Sequence, residues 1–386
     1  MLKKAILLVC ISALLPCVAA FGDNGNSLLK FGQRVLDFID TMAVRGIDQR
    51  YIGVPEKPWQ VVVRGNINEA GLKMSSIIND NDIFDLFDGN LSCDYRISSG
   101  LESYAGVWAG YRGYGIGYSR LVSSEREGSL LTLGLTGSCY GLNYRNHHFV
   151  TSECEIHDKG SIMGEPVDTT TVSQVASPIH VRSLIIDGYY LFNGRRFSYM
   201  AAYDQSAYQL RSSGSFMVGG MYYYAHIDYV APENIGFIFM MDDVGKMRQW
   251  QVSIGSGYAY NYVPVKGLLF SGMLMPMLTG YNRLKSYRYD SLLKQLFLKD
   301  PTRDIEALIE SDDQADMMWP DDERYKTTQT SHMTLNFNAR ASVTYNLGES
   351  AYLNVYGQLY NFRFSHDHNH GALTEWYVNA ALGFRL

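Results

Sequence analysis

The chain has 386 residues, 46% of them apolar and 19% charged, with 36 glycines, 29 tyrosines and a formal net charge of −6. That acidic balance argues against nucleic acid as a partner, because phosphate binding depends on clustered basic residues. No segment approaches the roughly 18 consecutive apolar residues of a membrane helix, so helical spans are excluded, while strands that cross a bilayer are not.

Residues 1–20 read as a secretory signal. Lys3 and Lys4 form its basic start, Ala5 to Leu15 its apolar centre, and Val18-Ala19-Ala20 its small-residue cleavage site. The apolar centre is too short to span as a helix. Without these residues the charge becomes −8, and Cys93, Cys139 and Cys154 remain. Such an odd, small set is not a disulfide framework, and its spacing suggests no metal site. The expected divisions are 1–20 signal, 21–58 an N-terminal periplasmic helix with its connector, and 59–386 one β-domain.

Leu28, Phe31, Val35, Phe38, Ile39 and Met42 recur at three- and four-residue steps behind Ser27, which predicts an amphipathic helix over 27–45. Asp48 to Pro58 forms an irregular connector, and a first strand is expected from Trp59 to Asn66. Further strand-like segments follow at 104–111, 116–121, 131–139, 181–191, 197–203, 216–229, 250–262 and 267–279. Residues 110–117 (GYRGYGIG) look like a phosphate loop but lack its lysine and its following amphipathic helix, so they read as strand glycines. Between 142 and 180 the pattern fits one strand pair or a long excursion.

The clearest pattern lies at 333–347. Met333, Leu335, Phe337, Ala339, Ala341, Val343, Tyr345 and Leu347 are apolar, and every residue between them is polar. Side chains alternate faces along a strand, so this one presents a greasy face and a wet face. It is longer than the roughly 9–11 residues that cross a bilayer as a tilted strand. Another strand is expected at 353–364. The last strand puts Trp376, Val378, Ala380, Leu382, Phe384 and Leu386 on one face, opposite Glu375, Tyr377, Asn379 and Arg385. An amphipathic final strand resembles the signal that outer-membrane proteins present to the barrel assembly machinery, although Leu386 stands where Phe is common.

These elements define an all-β chain: an antiparallel transmembrane β-barrel of about 12 strands, with 10–14 compatible, and an N-terminal amphipathic helix. Its expected place is the outer membrane of a Gram-negative cell. Long outer loops are expected at about 230–248, 280–330 and 365–372, and short turns at 263–265 and 348–350. The longest loop carries a helical pattern broken at Pro301 and an acidic run from Asp300 to Glu323. That run reads as a solvated surface or a weak divalent-cation site.

Four stretches carry a family resemblance: Asp48 to Ile52 with Lys57-Pro58-Trp59, Gly110 to Ser119, Gln205 to Ser215, and Gly255 to Asn261. In that order they resemble an uncharacterised group of Bacteroidota proteins, the domain of unknown function 4421. The resemblance implies an outer-membrane barrel. It assigns no activity, so it carries over no catalytic residues.

Asp187, Gln251, Asn261, Asn336, Asn338, Arg340, Asn379 and Arg385 fall on expected lumen faces. They either line a pore for small solutes or fill a narrow interior by pairing with one another. Arg340 and Arg385 are expected to have carboxylate partners or water, because an isolated buried guanidinium is costly. His366, His368 and His370 share one strand face at two-residue spacing and are the metal candidates, against a plain polar loop. His147-His148 is a weaker pair, since adjacent strand residues face oppositely.

His226 shares a face with Tyr222 and Tyr224 and is the candidate for a lipid hydrolase or acyltransferase, although no serine motif pairs with it. The leading reading is a non-enzymatic channel, transport component or envelope structural protein without a cofactor. Its expected partners are outer-membrane lipids, lipopolysaccharide, the assembly machinery and small solutes. The alternatives are that lipid enzyme and a soluble periplasmic β-domain.

Overall fold

Alternation of apolar and polar side chains drives the long strands of this chain to pair side by side until the sheet meets itself. A computed structural model describes residues 25–78, 91–124, 126–162, 165–234, 237–238, 244–289, 323–330, 333–366 and 369–386. The signal at 1–20 lies outside these residues. The chain order is α1 (Gly25–Val44), β1 (Ile52–Gly53), β2 (Trp59–Ile78), β3 (Leu91–Ser98), β4 (Glu102–Tyr111), β5 (Tyr114–Leu121) and β6 (Ser129–Thr136). Then come β7 (Tyr140–Ile162), β8 (Glu165–Leu191), β9 (Tyr208–Gln209), β10 (Ser213–Asp228), β11 (Val244–Val265) and β12 (Leu268–Tyr289). Last are β13 (Glu323–Thr330), β14 (Thr334–Asn346), β15 (Ala351–His366) and β16 (Asn369–Arg385).

Twelve of these form one antiparallel ring in the order β2-β4-β5-β6-β7-β8-β10-β11-β12-β14-β15-β16, and β16 closes it against β2 from Gln60↔Arg385 to Ser75↔His370. The number agrees with the expectation from sequence. Two neighbours of long strands are split in two. β2 pairs with β4 along its first half and with β3 along its second, and β3 also pairs with β7 above the short β4–β5–β6 meander. β12 likewise pairs with β14 along its first half and β13 along its second.

Four tight connections mark one end of the ring, here the turn end. Between β4 and β5, Arg112 and Gly113 both take positive φ (51° and 91°), as a two-residue hairpin with the right twist requires. A Cβ at Gly113 would lie 2.5 Å from the Thr136 carbonyl oxygen, so no other residue fits there. The turn expected at 263–265 sits slightly later, at Lys266 and Gly267 (φ 91°). The others are 137–139 and 347–350.

At the opposite, loop end the strands run further than their sequence patterns indicated. β12 reaches Tyr289 and β13 begins at Glu323, so the loop expected at 280–330 contracts to 290–322, and the Pro301 helix lies outside the described residues. The loop expected at 365–372 is mostly paired backbone, with Ser365↔His370 and His366↔Asn369. The stretch from 142 to 180 is a strand pair, β7 with β8. The segment 197–203, expected to be a strand, instead turns into the ring. Its residues are buried on all sides, so they have no lipid face to alternate against.

The outer wall is apolar. Ile254 is 69% exposed, Leu335 60% and Leu274 58%, and all point away from the lumen. Aromatic rows border this belt, with Phe216, Tyr258, Tyr260 and Tyr262 toward the turns and Tyr224, Trp250 and Tyr281 toward the loops. Ten residues separate Tyr260 from Trp250 on β11, which gives a band about 25 Å tall once strand tilt is included. A continuous exposed apolar band of that height matches hydrocarbon rather than water. Ile254→Lys, midway between Trp250 and Tyr258 on β11, is expected to cost about 2–4 kcal/mol in urea unfolding from vesicles, where an aqueous surface would tolerate it.

Candidate functional site

The interior is the place where this sequence concentrates its chemistry. Residues 192–212, between β8 and β10, fold inward at the turn end. Phe197, Tyr199, Met200, Ala201 and Ala202 are fully buried, and Met200–Asp204 make one π-turn that Gln205 ends at φ 58°. The wall satisfies the backbone of this plug. Asn261 Nδ2 donates to Ser198 O and to Gln209 Oε1 (both 2.9 Å), Ser342 Oγ donates to Ala202 O (2.7 Å), and Arg385 Nη2 donates to Gln205 O (2.9 Å). β9, within the plug, pairs with β1 of the connector, and Leu210 N donates to Tyr51 O (2.7 Å).

Two buried ion centres cross the lumen. In the first, the Arg340 guanidinium donates to Asp187 and to the Tyr199 hydroxyl, so it joins β14, β8 and the plug. Tyr360 OH (3.1 Å) and Asn143 Nδ2 (3.0 Å) complete the shell of Asp187. In the second, Glu375 on β16 accepts from Arg145 Nε at 2.9 Å and from Ser183 Oγ at 3.3 Å, and its carboxylate lies 3.3 Å from His147 Nδ1. His147 Nε2 lies 3.0 Å from the Tyr104 hydroxyl and 3.7 Å from Glu102 Oε2, and Arg145 stacks 3.9 Å over the Tyr377 ring. Charges this far from water persist only when their donors and acceptors are matched, and these shells provide most of the matches.

All eight lumen candidates are buried inside the ring. Gln251 and Asn336 pair with each other (3.0 Å), Asn338 accepts from Arg340 Nε (3.4 Å), and Asn379 donates to Asn66. For Arg385 the carboxylate half of the expectation is not met. No carboxylate pairs with it among the described residues; it donates to Gln205 O, to Asn346 Oδ1 (3.0 Å) and to Tyr208 OH (3.1 Å), and lies between the Tyr208 and Tyr352 rings. A delocalised, weakly hydrated guanidinium tolerates that setting of carbonyl, amide and π-faces.

His226 points outward, 3.8 Å from Asp228, with Arg182 and Arg248 as its cross-strand partners; among the described residues no serine hydroxyl bonds it. The side chains of His366, His368 and His370 lie outside the described residues. Among the described residues no cluster of three or more His, Cys, Asp or Glu side chains fits a metal ion. His147 and His148 do face oppositely, the first into the lumen and the second outward, stacked 6.1 Å from His180. Sequence reasoning missed the Arg145–His147–Glu375 centre because the strand carrying Arg145 was unassigned. Its parity (Arg145, His147 and Phe149 inward) was the available signal.

The space left between plug and wall is small, and a wider cleft of about 700 Å³ opens at the loop end beside Lys73, Arg96, Thr334 and Arg363. A cavity of about 150 Å³ lies between plug and wall, bordered by Arg64, Asn66, Thr132, Arg145, Asp204 and Tyr356. That is room for roughly five waters. Toward the loop end the lumen is closed by apolar side chains, among them Phe149, Ile156, Met221 and Leu373, with Tyr223 stacked on Phe362 at 4.0 Å. Phe237 and Ile238 of the β10–β11 connection join them.

A closed antiparallel ring that is apolar outside and polar within defines the chain as a transmembrane β-barrel. It belongs to the family described as Domain of unknown function (DUF4421), whose pattern matches residues 86–385. Solved structures similar to it include the outer membrane protease OmpT from Escherichia coli, at 8% identity and TM-score 0.35, covering 86% of this chain and 97% of that one. OprG, an outer membrane protein of Pseudomonas aeruginosa, is similar at 9% identity and TM-score 0.27, covering 86% and 97%. The β domain of the Bordetella autotransporter BrkA is similar at 9% identity and TM-score 0.28, covering 84% and 99%. No curated protein matches the chain.

Outside the wall, α1 and the connector fasten to the turn end. Asp40 accepts from Tyr111 OH (2.7 Å) and Arg112 Nε (3.0 Å), and Ser138 Oγ donates to Arg45 O (3.1 Å). Asp48 accepts from Arg50 Nε and Nη2 (3.0 and 2.8 Å), while its backbone N donates to Arg195 O (2.8 Å). The Arg50 guanidinium holds the Asp48 carboxyl down to about 2. Its contribution is therefore present above the ordinary carboxylate range near 4 and is lost as pH falls through about 2. Amide exchange at Ile52 and Leu210, corrected for intrinsic rates, is expected to rise over that interval and to be flat in Asp48→Asn.

Removing Glu375 leaves Arg145 and His147 buried without their acceptor. Glu375→Leu is expected to cost about 3–5 kcal/mol, read from denaturation midpoints. The double variant Arg145→Met/Glu375→Leu is expected to cost less than Glu375→Leu alone.

Proposed function

We propose that this chain is an outer-membrane protein whose barrel is shut to solutes and serves the envelope as a structural or docking component rather than as a channel. The observation that carries this reading is the filled lumen: among the described residues the plug occupies the turn end, the two ion centres mid-height and apolar side chains the loop end. On this reading residues 1–20 direct export and are removed. The turn end, with α1 and Leu386, faces the periplasm and the loop end faces outward. Strand β16 is the segment offered to the assembly machinery. The apolar belt takes outer-membrane lipids, and lipopolysaccharide contacts the loop-end rim.

Among the described residues the neighbours of His226 are two arginines and an aspartate rather than the hydroxyl nucleophile that lipid hydrolysis needs. Planar-bilayer recording tests the proposal. The intact protein is expected to insert silently, and replacing residues 197–207 by a short turn is expected to produce stable conductance steps. Conductance steps of similar size from the intact protein would overturn it.

A further inference from the structure

The outer wall carries a second polar feature that neither the belt nor the lumen explains. Immediately toward the loop end of the Tyr224–Trp250 row, cross-strand register aligns Arg182, His226, Arg248 and Lys285 on β8, β10, β11 and β12. The next row aligns His180, Asp228, Lys246, Tyr287 and Lys326. All share the outward face, because paired residues on neighbouring strands point the same way.

These two rows converge on one ring. Lys285 Nζ lies 4.9 Å from the Tyr287 centroid, Arg248 Cζ 5.2 Å, Lys326 Nζ 5.5 Å and Lys246 Nζ 5.8 Å, and they leave Tyr287 only 4% exposed. Opposite Lys246, Arg248, Lys285 and Arg182 the two rows hold, among the described residues, one carboxylate, Asp228, which is 3.4 Å from Lys246 Nζ. The buried Arg248 Nε and His226 Nε2 have no hydrogen-bond partner among the described residues. A π-face attracts each cation but does not offset their mutual repulsion; a bound anion with several acceptor oxygens does.

Height selects the anion. The cluster begins one row above tyrosine and tryptophan side chains whose rings pack at 5.6 Å, the level at which hydrocarbon gives way to headgroups. We infer that Lys246, Arg248 and Lys285, gathered around Tyr287, bind the phosphate of an anionic lipid headgroup in the leaflet at the loop end. The inference rests on the membrane reading above and adds a lipid preference to it. Arginine and lysine beside an aromatic floor suit a phosphate that enters laterally from the bilayer, with its acyl chains lying on Val252 and Leu278.

The test uses the full folded chain in phosphatidylcholine nanodiscs containing a bis-phosphorylated glucosamine lipid or its dephosphorylated form, with native mass spectrometry of retained lipid as the readout. The expected result is at least about tenfold retention of the phosphorylated over the dephosphorylated lipid, lost in Lys246→Gln/Lys285→Gln and reduced in Lys285→Gln alone. Lys73→Gln/Arg363→Gln, on another part of the same rim, is expected to keep the selectivity. Equal retention of both lipids, equal loss in the two double variants, or displacement by inorganic phosphate at the affinity of the lipid would each overturn the inference. Flotation with vesicles is scored separately. A chain that floats without lipid selectivity sinks this inference alone, and one that fails to float sinks the membrane reading beneath it.

Discussion

Hydrocarbon offers no partner to an N–H or a carbonyl, so any backbone that crosses it must pair all of its polar groups within the protein. For extended chain this means closure, and the pairing of β16 with β2 is where this molecule meets the demand. Closure in turn sorts the side chains. Every second residue is pushed outward, where Leu274, Leu335 and Ile254 suit lipid, and the others are enclosed together whatever their polarity. The polar interior is thus a consequence of the apolar exterior, and its residues must find partners among themselves.

They do so in two ways. Where the enclosed residues are charged, the ring places acids opposite bases across the lumen rather than along a strand: Arg145 meets Glu375 from 230 positions away, and Arg340 meets Asp187 from 153. Such long-range pairs tie opposite walls together. They specify the fold as well as stabilise it, because a register slip of one residue would exchange their faces with the lipid-facing set. Where wall side chains alone do not reach, the chain supplies a segment of itself. The plug's carbonyls at Ser198, Ala202 and Gln205 receive Asn261, Ser342 and Arg385 from three different strands.

The wall was legible in the sequence wherever lipid enforces strict alternation. Residues 333–347, 250–262 and the final strand each read correctly in face and approximate extent, because a half-lipid, half-lumen strand has period two and nothing else competes. The plug was not legible. Phe197 to Tyr203 has the composition of a strand, and only the presence of wall on every side reveals that it needs no outward face. Loop-end extensions such as 280–289 and 365–366 were also hidden, since beyond the bilayer both faces of a strand meet water or protein and alternation fades. Among the site residues, those on clearly alternating strands (Asn336, Asn338, Arg340, Asn379) could be placed inward from parity. Arg145 and His147 on β7, which face Glu375, could not, and the pairing of Arg385 with carbonyl, amide and aromatic groups had no sequence signal.

The split strands change the girth of the vessel with height. At the waist the circuit counts twelve strands. Above the breaks at 99–101 and 331–333, β3 replaces three strands and β13 replaces β14, so the neck counts ten, with no pairing between β13 and β15 among the described residues. Fewer strands enclose a smaller bore, so the neck is narrower than the waist. Wall side chains such as Tyr223 and Phe362 can touch across that smaller bore, whereas the wider waist would stay hollow without an inserted stopper. Taper therefore explains why one molecule is corked at one end and merely pinched at the other.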